Sequence, residues 1–217
     1  MFRWVAAVLF LVPPMVAETV DFESSKAGGL PAGWSAAMTF KAAPPRWEVT
    51  QDKSAPSGSK VLAQLSDDPT SGRFPLAIHE TVGLKDGEIR VKFKPVSGKV
   101  DQAAGLVWRY KDENNYYIVR ANALENNVVL YKVENGKRSS LAPVGTSAKT
   151  YGVMHTVPSQ KWSTLGVVFA GTRFSVFFDG EKLFDVEDST FAQPGKVGLW
   201  TKADSVTYFD DFEVVGR

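Results

Sequence analysis

The fold is decided by Gly105-Leu-Val-Trp-Arg-Tyr110, Lys111-Asp-Glu-Asn-Asn115 and Tyr116-Tyr-Ile-Val-Arg-Ala-Asn122. Two runs rich in β-branched and aromatic residues flank a short polar segment, the pattern of two antiparallel strands joined by a turn. A second polar turn, Leu124 to Asn127, leads into Val128 to Val133 and extends the pair to a three-stranded meander. If the first turn is centred on Glu113-Asn114, Arg109 lies opposite Ile118 and Val107 opposite Arg120. Alternation then gives a core face of Leu106, Trp108, Tyr110, Tyr117 and Val119. Val107, Arg109, Lys111, Tyr116, Ile118, Arg120 and Asn122 share the other face, while the second turn leaves the faces of the third strand open.

Outward from this meander the same texture continues. Further strands are expected at Thr19 to Glu23, Trp47 to Gln51, Lys60 to Leu65, Leu76 to Val82 and Glu88 to Lys94. Others are expected at Trp162 to Phe169, Phe174 to Phe178, Lys182 to Val186, Lys196 to Thr201 and Thr207 to Val215. Asp179-Gly180 and Asn135-Gly136 carry the two-residue hairpin signal, because both central positions of such a turn need φ > 0. Ala42 to Ser59 is rich in Pro and Ser and reads as loop around one strand. Thirteen strands without helical periodicity exceed one open sheet. The expected fold is an all-β, antiparallel two-sheet β-sandwich.

The chain opens Met1-Phe-Arg-Trp, continues with an apolar run from Val5 to Val12, and passes through Pro13-Pro14 to Ala17. A charged start, a short apolar run and a small residue before Glu18 read as a secretory leader cleaved near Ala17. The run is too short to span a bilayer. Residues 18–217 then form one domain, placed in the periplasm or outside the cell. With no Cys, neither disulfides nor thiolate metal sites are available, so burial alone must hold the fold. Lys plus Arg is 25 against 24 for Asp plus Glu, with no long basic run, which argues against a nucleic-acid partner.

Gly105-Leu-Val-Trp-Arg-Tyr, Asp112-Glu-Asn-Asn-Tyr-Tyr and Arg120 resemble the central strands of exported bacterial concanavalin A-like jelly-roll domains. Ser175-Val-Phe-Phe-Asp-Gly, Gly195-Lys-Val-Gly-Leu-Trp and Phe209-Asp-Asp-Phe-Glu-Val resemble their last strands. Within that superfamily the sequence is similar to laminin-G-like domains and to the 3-keto-disaccharide hydrolase-like family, over roughly Thr19 to Arg217. The resemblance implies a concave sheet face used for carbohydrate and a structural Ca2+ near the joined termini.

Motifs for chemistry are sparse. The jelly-roll glycosidase run Glu-x-Asp-x-x-Glu is absent, and Asp185-x-Glu187 and Asp211-x-Glu213 have the one-face spacing that such a pair needs. His79 and His155 stand apart from any nucleophile elbow or zinc motif and read as hydrogen-bonded structural residues. Asp21, Glu23, Asp210 and Asp211 would supply calcium oxygens if the first and last strands pair; otherwise they are charges that protect an edge. Sugar sites combine an aromatic plane with planar amide, carboxylate and guanidinium groups. Arg109, Tyr116, Arg120 and Asn122 supply those types on one face, and Trp200 joins them if Val197 and Leu199 point inward. Trp34 and Trp47 are alternative platforms. The same face also reads as a second core layer covered by Arg stems. The expected function is an exported, lectin-like carbohydrate-binding module without catalytic machinery. The alternatives are a 3-keto-disaccharide hydrolase-like glycoside hydrolase and a laminin-G-like module that binds a protein partner.

Overall fold

The computed structural model describes residues 17–217, so the leader expected before Ala17 lies outside the described residues. The chain opens with β1 (Ala17–Val20), β2 (Trp34–Thr39), β3 (Trp47–Gln51), β4 (Lys60–Gln64), β5 (Phe74–Leu84), β6 (Gly87–Ser97), β7 (Ala103–Asp112) and β8 (Asn115–Asn122). It continues with β9 (Asn127–Glu134), β10 (Lys137–Leu141), β11 (Val153–Met154), β12 (Ser163–Ala170), β13 (Arg173–Phe178), β14 (Glu181–Glu187), β15 (Gly195–Trp200) and β16 (Val206–Gly216). Sheet A runs β14-β13-β12-β6-β16-β4-β3, with β1 added on β16. Sheet B runs β10-β9-β8-β7-β15-β5-β2, with β11 added on β9. The two antiparallel sheets form a jelly-roll sandwich: the turns and alternation predict the two sheets, and the resemblance implies the jelly roll.

Asp179-Gly180 and Asn135-Gly136 both close two-residue hairpins, with Phe178 opposite Glu181 and Glu134 opposite Lys137. Three strands escape the sequence reading: β2, β10 and the two-residue β11. The first is rich in Ala and Ser, and β10 is a polar edge strand with no buried residue, so neither shows the alternation of a half-buried strand.

Between the sheets lies an aromatic core. Trp108 of β7 stacks on Tyr117 of β8 at 5.4 Å and on Phe169 of β12 at 6.0 Å, and meets the edge of Phe174 of β13 at 5.3 Å. It thereby joins sheet B to sheet A. Leu106, Tyr117 and Val119 share this core, whereas Val107, Tyr116 and Ile118 pack on the outer face of sheet B.

The expected pairing breaks at Arg109. The turn is centred on Glu113-Asn114, with Asp112 opposite Asn115, yet Trp108 lies opposite Tyr117 and Val107 opposite Ile118. Extra residues are therefore absorbed in a β-bulge, where Arg109 adopts φ 47°. Gly195 of β15 permits it, because a Cβ there would stand 2.4 Å from the Arg109 carbonyl carbon. The bulge reverses the expected faces: Tyr110 packs with the outer cluster and Arg109 leaves it.

Sheet B is strongly curved, with its outer face concave. Four strand steps separate β2 from β8, yet the hydroxyls of Thr39 and Tyr116 are hydrogen-bonded at 2.7 Å. Five steps separate β10 from β5, roughly 24 Å of sheet at ~4.8 Å per strand. The Arg138 guanidinium of β10 nevertheless lies 4.7 Å from the Phe74 ring centre. Only a trough brings such residues together.

Candidate functional site

Phe74, Tyr116, Tyr131 and Trp200 pave the floor of this trough. Two guanidiniums lie on the floor. Arg138 is 4.4 Å from the Tyr131 ring centre and 5.8 Å from that of Trp200, while Arg120 is 5.6 Å from Tyr131 and 5.9 Å from Tyr151. Burial raises the Tyr116 and Tyr131 hydroxyl pKa values well above the ordinary range, so both stay protonated.

At one end of the trough a polar network surrounds Arg120. Arg120 donates from Nη1 to Glu125 Oε1 at 3.2 Å, and from Nη2 to Glu125 Oε2 and Asn127 Oδ1, both at 2.7 Å. Asn127 Nδ2 donates to Glu125 Oε2 at 2.9 Å. Asn122 Nδ2 is shared between Asp101 Oδ1 at 2.7 Å and Glu125 Oε1 at 3.1 Å, and Lys202 Nζ donates to Asp101 Oδ2. Burial pushes the Glu125 carboxyl up, but the hydrogen bonds and charge of Arg120, with Asn127 and Lys202, outweigh it and hold the pKa below the usual carboxylate value.

Local structure fixes each member. Asn122 and Asn127 face each other across the β8–β9 turn, which folds Glu125 back over Arg120. Asp101 is anchored because Asp204 accepts the backbone N–H groups of Lys99, Val100 and Asp101. Tyr151, 47% exposed, stands at the edge of the network with its hydroxyl bonded to that of Tyr131. The adjacent Gly152 has φ +59°, and a Cβ there would lie 2.3 Å from the Val128 carbonyl oxygen. Only glycine lets the segment carrying Tyr151 come this close to β9.

Residues 28–215 match the 3-keto-alpha-glucoside-1,2-lyase-like domain. The chain belongs to that family. No curated protein matches the sequence. Among solved structures, the lyase-like domain is similar to the carbohydrate binding module CBM66 from Bacillus subtilis, at 22% identity and TM-score 0.61, covering 83% of this chain and 93% of that one. The cellulose induced protein Cip1 gives 14% identity and TM-score 0.62, covering 92% and 96%. A Bacillus licheniformis beta-glucanase gives 12% and 0.54, covering 93% and 98%. At these identities the likeness establishes the fold alone.

In the lyase-like domain the sequence-predicted residues separate into groups. Arg120 and Asn122 meet in the network. Tyr116 and Trp200 lie on the same concave face but are fully buried in its floor, so Trp200 is not an open platform. Arg109 is elsewhere: it donates to the carbonyls of Lys85 at 3.0 Å, Phe191 at 2.8 Å and Gly171 at 2.6 Å, tying turns together. Trp34 and Trp47 are buried in the inter-sheet core rather than exposed on loops. Glu125, Asn127, Asp101, Lys202, Arg138, Tyr131 and Tyr151 were not singled out by the sequence. One signal was present: Asn at both ends of a four-residue turn that contains a Glu five residues after an Arg.

The terminal strands pair, with Val20 opposite Phe212, and Glu23 and Asp210 both hold the segment from Ser57 to Lys60. Asp21 accepts the Glu23 N–H, Glu23 accepts the N–H groups of Ser59 and Lys60, Asp210 accepts those of Ser57 and Asp211, and Asp211 pairs with Lys92. Among the described residues no group of three His, Cys, Asp or Glu is placed to hold a metal ion. Burial pushes the Asp210 carboxyl up to about 6. A raised folded-state value favours the protonated fold, so this stabilisation is complete below about pH 3.8 and is lost as pH rises through about 6. Unfolding by urea should show a contribution of about 2–3 kcal/mol disappearing over that window. Asp210→Asn should abolish it, and an unchanged pH dependence in that variant would contradict the assignment.

His79 is buried, with Nδ1 3.2 Å from the Thr81 hydroxyl and Nε2 3.5 Å from Glu18. His155 packs on Phe178 at 4.5 Å. Asp185 and Glu187 both pair with Arg173, and against the effect of burial Lys182, Ser175 and Arg173 hold Asp185 at about 2. A groove of about 570 Å³ crosses the outer face of sheet A beside Glu88, Arg90, Phe177 and Arg217. Its cations already pair with Glu88 or Glu213, and no unpaired buried donor lies among its lining residues. The chemistry therefore favours the trough of sheet B.

Proposed function

We propose that the chain is an exported carbohydrate-recognition domain that binds a glycan at the Tyr151 end of the trough and releases it unchanged. The observation that carries this reading is the network of Arg120, Glu125, Asn127, Asn122, Asp101 and Lys202 beside a half-exposed aromatic ring. Sugar hydroxyls pair with fixed planar donors and acceptors, and a pyranose face packs on an aromatic ring. Membership of a family named for a glucoside, and a fold shared with a carbohydrate binding module, support the same class of ligand. Glycoside hydrolysis needs one carboxyl that keeps its proton. Here Glu125 is held ionised and Asp101 is paired with Lys202, an arrangement suited to binding.

The test is a screen of the chain from Glu18 against a glycan array. Tyr151→Ala should weaken the selected glycan about ten-fold, the loss of ~1.4 kcal/mol of ring contact, with the melting temperature nearly unchanged. Unchanged affinity would remove Tyr151 from the site, and failure to bind any glycan would overturn the proposal.

Family membership favours one second reading, processing of a 3-keto-glucoside. A ketone at C3 acidifies the C2–H bond; a carboxylate takes that proton, the C2–H electron pair becomes a C1–C2 double bond as the C1–O bond breaks, and the proton passes to the departing oxygen. Glu125, with 38% of its side chain exposed, is the accessible base in the network. Release of the C1 substituent from a 3-keto-alpha-glucoside, lost in Glu125→Gln, would establish turnover; intact substrate after prolonged incubation would exclude it.

A further inference from the structure

We infer that the glycan is anionic, and that Arg138 receives its carboxylate or sulfate group in the trough of sheet B; the inference rests on the carbohydrate reading of this site. The starting observation is a set of buried donors without acceptors. Arg138 Nη1 and Arg120 Nε both lack a hydrogen-bond partner, and both side chains belong to the trough. A buried donor left unpaired costs about 1–3 kcal/mol, so these positions favour a ligand that brings acceptors.

Charge decides which acceptor fits. Arg120 is neutralised by Glu125, and Lys202 by Asp101. Arg138 makes no ion pair among the described residues, although its guanidinium and that of Arg120 both converge on the Tyr131 ring. Three cations thus share two carboxylates in a partly desolvated trough, leaving one positive charge over. Neutral hydroxyls would satisfy the N–H groups but not this charge, whereas an anionic oxygen pair satisfies both.

Arg138 is also held ready. The rings of Phe74, Tyr131 and Trp200 lie 4.7, 4.4 and 5.8 Å from its guanidinium carbon, so cation–π contact positions the fork without a carboxylate. Arg138 is only part-buried, on the edge strand β10. A preformed receptor of this kind loses little entropy on binding.

The experiment compares matched neutral, uronic-acid and 6-sulfated forms of one oligosaccharide by titration calorimetry, for the unaltered chain and for Arg138→Gln. An anionic form should bind at least ten-fold more tightly than the neutral form at low salt. Arg138→Gln should erase that preference, bringing the ratio of anionic to neutral affinity close to one. Arg138→Lys should restore part of it, and the tighter of the two anionic forms identifies the group recognised. Equal binding of all three forms, indifferent to Arg138→Gln, would overturn the anionic inference and leave carbohydrate recognition standing. Binding of none would overturn the carbohydrate reading and this inference with it.

Discussion

Arg120→Ala should abolish glycan binding and destabilise the fold together. The guanidinium is fully buried and supplies three hydrogen bonds that hold Glu125 and Asn127 in place. Removing one partner of a buried pair leaves the other charge uncompensated, and because Glu125 keeps solvent access the expected cost is ~3 kcal/mol, the lower end of such effects. Affinity should fall at least ~100-fold, since charge-assisted hydrogen bonds contribute ~2–3 kcal/mol and the whole network loses its order. Arg120→Lys separates the two effects: it keeps the charge but loses the planar fork, so stability should recover more than binding. Urea unfolding and titration on the same samples measure both. Full affinity in Arg120→Ala would show that the ligand sits elsewhere.

Trp108→Ala should produce the largest loss of stability of any change considered, about 4 kcal/mol, because it removes a fully buried indole and leaves a cavity where the sheets meet. The ring contacts Tyr117 on sheet B and Phe169 and Phe174 on sheet A, so the cavity opens on both sides of the sandwich. For a domain of this size the melting temperature should drop by about 10 °C. Trp108→Phe retains much of the stacking and should cost roughly half as much. A loss below about 1 kcal/mol for the alanine variant would contradict the role of Trp108 in joining the sheets.

Alternation and turn chemistry made the central meander legible in the sequence. Leu106, Trp108, Tyr117 and Val119 are inward and Tyr116, Ile118 and Arg120 outward, because period-two patterning and a correctly centred turn fix those positions. Arg109 fails because a bulge obeys no periodicity: its φ of 47° depends on the missing side chain of Gly195, far along the chain. Arg138 was invisible because β10 is polar on both faces, and its place over Phe74 depends on curvature accumulated over five strand pairings. Half of the trough's chemistry had the same fate. Glu125 sits in a turn, Lys202 follows β15, Asp101 lies just before β7, and the fold rather than any spacing brings them to Arg120 and Asn122. Trp200 was placed on the correct face but not at the correct depth, since Arg138 reaches over it from the far edge of the sheet.

The most direct test of carbohydrate recognition in the trough is NMR titration of the chain with a glycan selected on an array, monitoring backbone and side-chain amide shifts. Recognition at the trough predicts perturbation concentrated at Asn122, Glu125, Asn127 and Tyr151, spreading to the Trp200 indole N–H in the trough floor. Perturbation confined to Arg90, Phe177 and Arg217 in the groove of sheet A would instead place the ligand on the opposite face and contradict it.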